Sequence, residues 1–124
     1  YLPMSAPEAA QQIVSGIYEL EDGRWRWMGE RAVLLLRRPD VPLPLRVDLH
    51  IPNQSPVRRV TVTLDRRLVA DQTFSAPGTY KITTTPVSVD FESATVTIVV
   101  DRTFAVAGDH RRLGVILSAV GFER

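Results

Sequence analysis

The feature of this sequence that most limits its fold is a series of short runs in which apolar and polar residues alternate. In residues 44–51, every second position holds leucine, valine or isoleucine, and the positions between them include Arg46, Asp48 and His50. The run 59–65 follows the same rule, with threonine at two of its polar positions. Because neighbouring side chains on a strand point to opposite faces, these runs predict β-strands with one buried face.

Similar strand signals recur along most of the chain. Five further strands are predicted at 31–37, 67–74, 79–85, 94–102 and 113–122. Prolines fall between the runs, where the missing amide hydrogen and the fixed φ angle of proline are tolerated. The spacing of strands and turns is typical of a β-sandwich.

The N-terminal segment differs from the rest because its signals are helical. Ser5 and Glu8 form a capping-box pattern ahead of helix-forming residues, which predicts a short helix over about residues 6–14. We therefore expect an all-β fold, an antiparallel β-sandwich of jelly-roll or Ig-like type with about eight strands and a short N-terminal helix. Residues 1–15 are assigned to the helical segment and residues 16–124 to the β-sandwich domain.

A first hairpin is predicted inside the stretch YELEDGRWRWMGER, residues 18–31, because Asp22-Gly23 is a strong two-residue turn signal. Directly opposed residues share a face of the sheet. The predicted pairs are Glu21 with Arg24, Leu20 with Trp25, Glu19 with Arg26 and Tyr18 with Trp27. The charged face is expected to meet water and the aromatic face to join the core. The alternative is an exposed aromatic platform that stacks on a ligand such as a sugar.

Composition excludes several classes of protein. The net charge is +1, and the basic residues are spread along the chain and offset by 14 acidic ones, which argues against nucleic-acid binding. The chain has no cysteine, so disulfides and thiolate metal sites are excluded. No apolar run approaches the ~20 residues that a membrane-spanning helix needs. Because the sequence begins at Tyr1, we expect a processed protein or a fragment of a longer one.

Two separated blocks of residues carry a resemblance to a known family. The first block is Gly16, Tyr18, Glu21, Arg24, Trp25 and Trp27, and the second is Asp109, Arg111, Arg112, Leu113, Gly114 and Val115. With them, the chain resembles the small β-sandwich modules found beside or at the end of bacterial glycosyltransferases and other cell-surface polysaccharide proteins. It departs from that pattern at Asp65-Arg66, where a tighter hairpin is usual, and in its short 104–109 loop. The resemblance implies an accessory module around glycan chemistry, with no catalytic residue set to carry over.

The remaining candidates for chemistry favour ordinary roles over reactive ones. His50 and His110 lack a metal-binding spacing, and no nucleophile elbow is present. A pair of carboxylates could cleave a glycosidic bond, but Glu19 and Glu21 are expected to pair with arginines, which lowers a carboxylate pKa. Arg111 could bind an anionic or hydroxylated ligand, or could pair internally with an aspartate.

We therefore predict a non-catalytic module that recognises a glycan or assists a polysaccharide-handling protein. The alternative is a structural or protein-interaction module that packs against a neighbouring domain and binds no small ligand. The expected partners are a glycan or polysaccharide and a neighbouring enzyme domain, with no nucleic acid, no membrane span, no cofactor and no metal. The resemblance implies a place in the bacterial cell envelope, or at its cytoplasmic face within a glycosyltransferase. The candidate ligand-binding residues are Glu19, Glu21, Arg24, Arg26, Asp109 and Arg111.

Overall fold

The fold is almost entirely antiparallel β-sheet. The computed structural model describes residues 2–53, 58–105, 108–109 and 111–123. Its strands are β1 Leu2–Pro3, β2 Ile13–Glu21, β3 Trp25–Arg37, β4 Leu43–Ile51, β5 Arg58–Leu64, β6 Arg67–Phe74, β7 Gly78–Val87, β8 Ser93–Val100 and β9 Ile116–Phe122. The short helix α1 spans Ala9–Gln12. Within these ranges no helix is long and apolar enough to cross a membrane.

All the strands belong to one sheet, in the order β6-β5-β8-β3-β9-β4-β7, with β1 paired to β9 and β2 paired to β3. Every pairing is antiparallel. The two end strands approach each other, because the rings of Phe74 on β6 and Tyr80 on β7 lie 4.3 Å apart between centroids. The sheet is thus nearly closed and barrel-like. The all-β prediction is confirmed, whereas the two separate layers of a sandwich are not.

The long strand β3 joins the two halves of this sheet. Its C-terminal part, Arg31–Arg37, pairs with β8, while Arg26 and Trp27 pair with β9. Strand β2 lies along its other edge. One strand of 13 residues therefore connects the end of the barrel at Trp25 with the opposite end at Arg37.

Strict alternation fills the interior of the barrel. Buried and half-buried residues alternate along β4, β5 and β8, as the sequence pattern predicts. The core is made of aliphatic side chains with two phenylalanines and two methionines. Its members include Met28, Leu34, Leu49, Val62, Ile98 and Leu117. Removing so much apolar surface from water is the main stabilising contribution to a domain of this size.

The N-terminal helix is shorter than predicted. It spans four residues, and Glu8 occupies the N-cap position without a side-chain capping bond, so the capping box led by Ser5 is wrong. The reason is competition from the sheet, because Ile13 already pairs with Leu34 of β3. The segment is anchored by Met4, which is buried in the core.

The first turn is confirmed, but the register of its hairpin is not. Asp22 and Gly23 both have positive φ, and the Arg24 amide donates to the Glu21 carbonyl. The strands nevertheless pair Glu21 with Trp25 and Leu20 with Arg26, so the predicted partners are displaced by one residue beside the turn. A bulge between Ile17 and Leu20 absorbs the extra residue.

The alternation along β3 decides which of its side chains face inward. Arg26 lies opposite Leu117, which is fully buried, whereas Trp27 lies opposite the half-exposed Ile116. Both Trp25 and Trp27 are half-buried and lie outside the core cluster. The prediction that the indoles line the core is therefore wrong, because the buried side chains of β3, such as Met28 and Leu34, alternate in phase with Arg26 and leave the indoles on the other face.

A close backbone contact between β3 and the segment that leads into β9 gives a test. A Cβ atom on Gly114 would lie 2.5 Å from the Gly29 carbonyl oxygen and 2.8 Å from a methyl group of Val100. We expect Gly114→Ala to destabilise the chain by about 1–3 kcal/mol in a thermal or urea unfolding experiment, because this overpacking forces the two segments apart. The matched control is Gly29→Ala, whose Cβ would meet its nearest neighbour at 3.5 Å. If the two variants are equally stable, the segment that leads into β9 does not pack as closely against β3 as described.

Candidate functional site

Three of the predicted ligand-binding residues come together around Arg111. Its guanidinium donates to both carboxylate oxygens of Asp109, with the shortest distance 2.7 Å, and reaches Glu21 Oε2 at 3.5 Å. It also lies over the ring of Tyr18, 5.3 Å from the centroid. Bonding to Asp109 is the main reason that the pKa of Arg111 lies above its ordinary value. The donors of Arg111 are thus engaged within the protein, in line with internal pairing.

The other three predicted residues do not join this cluster. Glu19 is exposed, and Arg24 lies 4.0 Å from Asp22 with both side chains largely in water. Arg26 is half-buried and donates from Nη1 to the carbonyl oxygen of Tyr18 at 3.2 Å. The four charged residues of the hairpin therefore do not form the single exposed face that the sequence predicts. Ligand binding by the six residues stays a prediction.

The aromatic residues at this end support the segment that leads into β9. Trp27 packs edge-on against Phe104, with centroids 5.6 Å apart and planes at 71°. The guanidinium of Arg58 lies 5.6 Å from the centroid of Phe104, and its Nε donates to the Gly114 carbonyl at 3.3 Å. Trp27 thus has a packing role, although it is not a core residue.

Sequence reasoning missed the role of Arg58. Its side chain is fully buried, and this burial lowers its pKa, while Asp101 acts in the opposite direction. The signal was present in the alternation, because position 58 is in phase with the buried Val60, Val62 and Leu64. A charged residue at an apolar position of a strand indicates a buried cation with dedicated partners.

The polar face of β4 is occupied by internal bonds. Arg46 donates to both carboxylate oxygens of Asp48, at 2.8 and 3.0 Å, and to Glu123 at 2.8 Å. His50 Nδ1 lies 3.0 Å from the hydroxyl of Thr79. His110 is outside the described residues. In the part of the chain that the structure describes, no group of three histidine, cysteine, aspartate or glutamate residues could hold a metal ion.

A groove lies at the other end of β3. It has a volume of about 900 Å³ and lies between residues 37–42, at the β3–β4 connection, and Ser88, Val89, Glu92 and Ser93, at the β7–β8 connection. We call it the loop groove. A second groove of about 690 Å³, the side groove, adjoins it and is lined by residues 37–40 together with Leu43, Phe122 and Glu123. Nothing in the sequence singles out these connections, since RRPDVPLP has the composition of an ordinary loop.

The walls of the loop groove carry charged side chains of both signs. They come from Arg37, Arg38, Asp40 and Glu92. Within the described ranges, none of these four forms an ion pair closer than 4.0 Å. The backbone holds the walls in place, because the Arg38 amide donates to the Glu92 carbonyl at 2.9 Å. The two guanidinium groups and the two carboxylates of the loop groove are therefore available for hydrogen bonds to a ligand.

The Arg111 cluster predicts a stability effect. Replacing Arg111 by lysine keeps the charge but removes the forked bonds to Asp109 and the contact with Tyr18, so we expect a loss of about 1–2 kcal/mol in chemical unfolding. The control is Arg24→Lys, since the Arg24 side chain is 77% exposed. If Arg111→Lys unfolds at the same denaturant concentration as the control, the cluster does not hold this end of the fold.

Comparisons with known proteins give a likeness of fold. No protein-family model and no curated protein sequence matches the chain. A similar solved structure is the GH26-CBM35 β-(1,4)-mannanase of Podospora anserina, with a TM-score of 0.50 and 12% sequence identity. The match covers 91% of this chain and 26% of the mannanase chain, so this chain spans about a quarter of that protein's length. At this identity the likeness concerns the fold alone.

Proposed function

We propose that this chain is a non-catalytic module that binds a glycan in the loop groove and so assists a polysaccharide-handling protein. The observation that carries the proposal is the set of four charged side chains that line the groove without pairing to one another. Elsewhere on the barrel, the principal charged clusters are engaged in internal bonds. The loop groove brings unpaired charged groups of both signs together in its walls, where they can meet a ligand.

The chemistry of the groove suits a sugar. Guanidinium groups donate hydrogen bonds and carboxylates accept them, so neighbouring hydroxyl groups of a sugar can be bound from both sides. The volume of about 900 Å³ lies within the range of ligand sites. Val41 lines the groove and is 50% exposed, so it offers apolar surface for the C–H face of a sugar.

One structural comparison and one resemblance in sequence support a glycan ligand. The structurally similar mannanase carries a CBM35, a carbohydrate-binding module, in its name. Independently, the sequence resembles accessory modules of bacterial glycosyltransferases. We propose that this chain serves a glycosyltransferase or a related envelope protein in the same way, without a catalytic residue of its own.

A second candidate function is a protein-interaction module. Its support is the exposure of Val41 and Phe91, which are 50% and 67% exposed in the two loops of the groove. Large exposed apolar side chains that form a patch are typical of protein contacts, and both of these residues are on the connections that flank the groove. In that case the chain would pack against an enzyme domain and bind no sugar.

A polysaccharide panel separates the two functions. We expect the purified chain to bind at least one of mannan, xylan, cellulose, dextran and polygalacturonate in affinity electrophoresis, and to release no sugar from it. Substituting Arg37 and Arg38 together by glutamine should abolish the retardation. If no polysaccharide of the panel retards the chain, the glycan proposal fails and the interaction module takes its place.

A further inference from the structure

We infer that the ligand is an uncharged, linear glycan whose internal residues lie across both grooves, over residues 37–40. This inference rests on the proposed function and specifies the ligand of that site. It depends on two independent observations, the balance of charge in the walls and the way in which the two grooves share one segment of chain.

The balance of charge favours a neutral ligand. The loop groove pairs two cations, Arg37 and Arg38, with two anions, Asp40 and Glu92. Their formal charges cancel, so a polyanion such as polygalacturonate would gain from the arginines and lose a similar amount from the carboxylates. A neutral sugar can use all four groups, because each hydroxyl both donates and accepts hydrogen bonds.

The side groove continues this balance. It has one carboxylate, Glu123, in place of Glu92, so its two carboxylates again balance its two arginines in formal charge. Leu43 and Phe122 supply apolar surface beside it. A sugar ring has apolar C–H faces as well as hydroxyl edges, so this mixture suits a second sugar residue of the same chain.

The shape favours an internal stretch of polymer rather than a chain end. Both grooves are open to solvent, and residues 37–40 line both. The remaining walls differ, with the β7–β8 loop on one side and the C-terminal end of β9 on the other. A linear chain can therefore enter one groove, pass over residues 37–40 and continue in the other. An enclosed pocket, which would hold a terminal sugar, is not what this end of the barrel presents.

A length series tests the ligand class. Calorimetric titration of the full chain would use manno-, cello- and xylo-oligosaccharides from disaccharide to hexasaccharide, with oligogalacturonates of the same lengths as acidic probes. We expect a neutral hexasaccharide to bind at least about tenfold more tightly than the disaccharide, a gain that corresponds to about 1.4 kcal/mol. Reduction of the terminal sugar with borohydride should leave the hexasaccharide affinity unchanged. Its affinity should also change little with sodium chloride, because a neutral ligand is not screened.

Matched variants test the location. Arg38 lines both grooves, and its backbone rather than its side chain bonds to Glu92, so Arg38→Gln should keep the fold. We expect about a tenfold loss of affinity for the neutral hexasaccharide, since bonds to a charged group are among the stronger ones. The control is Arg31→Gln on the same strand, because Arg31 is exposed and does not line either groove. It should bind as the unaltered chain does, and thermal unfolding of both variants checks folding.

The outcomes separate this inference from the proposed function. Tighter binding of oligogalacturonate, equal affinity for disaccharide and hexasaccharide, or full affinity in Arg38→Gln would each overturn the inference while glycan binding stands. Binding of neither the panel polysaccharides nor any of these oligosaccharides would overturn both.

Discussion

The architecture depends on the double pairing of β3. This strand is hydrogen-bonded to β8 along one part and to β9 along another, so it is the element through which the two halves of the sheet become one. The backbone that leads into β9 must then cross β3 closely, and the Gly114 amide donates to the Met28 carbonyl at 2.7 Å. Only glycine fits here, because a Cβ atom on Gly114 would lie 2.5 Å from the Gly29 carbonyl oxygen. The barrel-like closure and the position of both of its ends follow from this crossing.

The two ends of the barrel use their charges differently. At the end near Trp25, Arg58 and Arg111 are held by aromatic rings, a carbonyl oxygen and carboxylates, so their charge stabilises the segment that crosses β3. At the other end, the charged residues of the loop groove have no such partners among the described residues. A buried charge needs a partner because removing it from water is costly. The solvated charges of the loop groove have no partner in the described part of the protein, so they can exchange their hydrogen bonds to water for hydrogen bonds to a ligand. The proposal of a ligand site at the Arg37 end is based on this contrast.

The sequence predicts most of the strands because alternation is a local property. The runs 44–51 and 59–65 correspond closely to β4 and β5. The register of the first hairpin could not be predicted in this way, since one bulge near Tyr18 moves the partners of the turn by a residue. Sheet closure also depends on contacts between distant segments, such as Phe74 with Tyr80, that no local pattern contains.

The candidate site was harder to predict than the strands. The sequence indicates Arg111, Asp109 and Glu21 as candidates because charged residues can bind a ligand. In the structure, Arg111 instead bonds to both carboxylates. Residues 37–42 and 88–93 are ordinary loops by composition and become a groove only because β3 and β8 pair as far as Arg37 and Ser93. A concave surface made by two connections distant in sequence is invisible until the register is known.

The most direct test of this account is to map the binding surface by nuclear magnetic resonance. A neutral hexasaccharide that binds would be titrated into the isotope-labelled chain while the backbone amide signals are followed. The account predicts that the largest changes in chemical shift fall in residues 37–43 and 88–93. Changes concentrated in residues 18–27 and 109–113, with the loop groove unaffected, would contradict it.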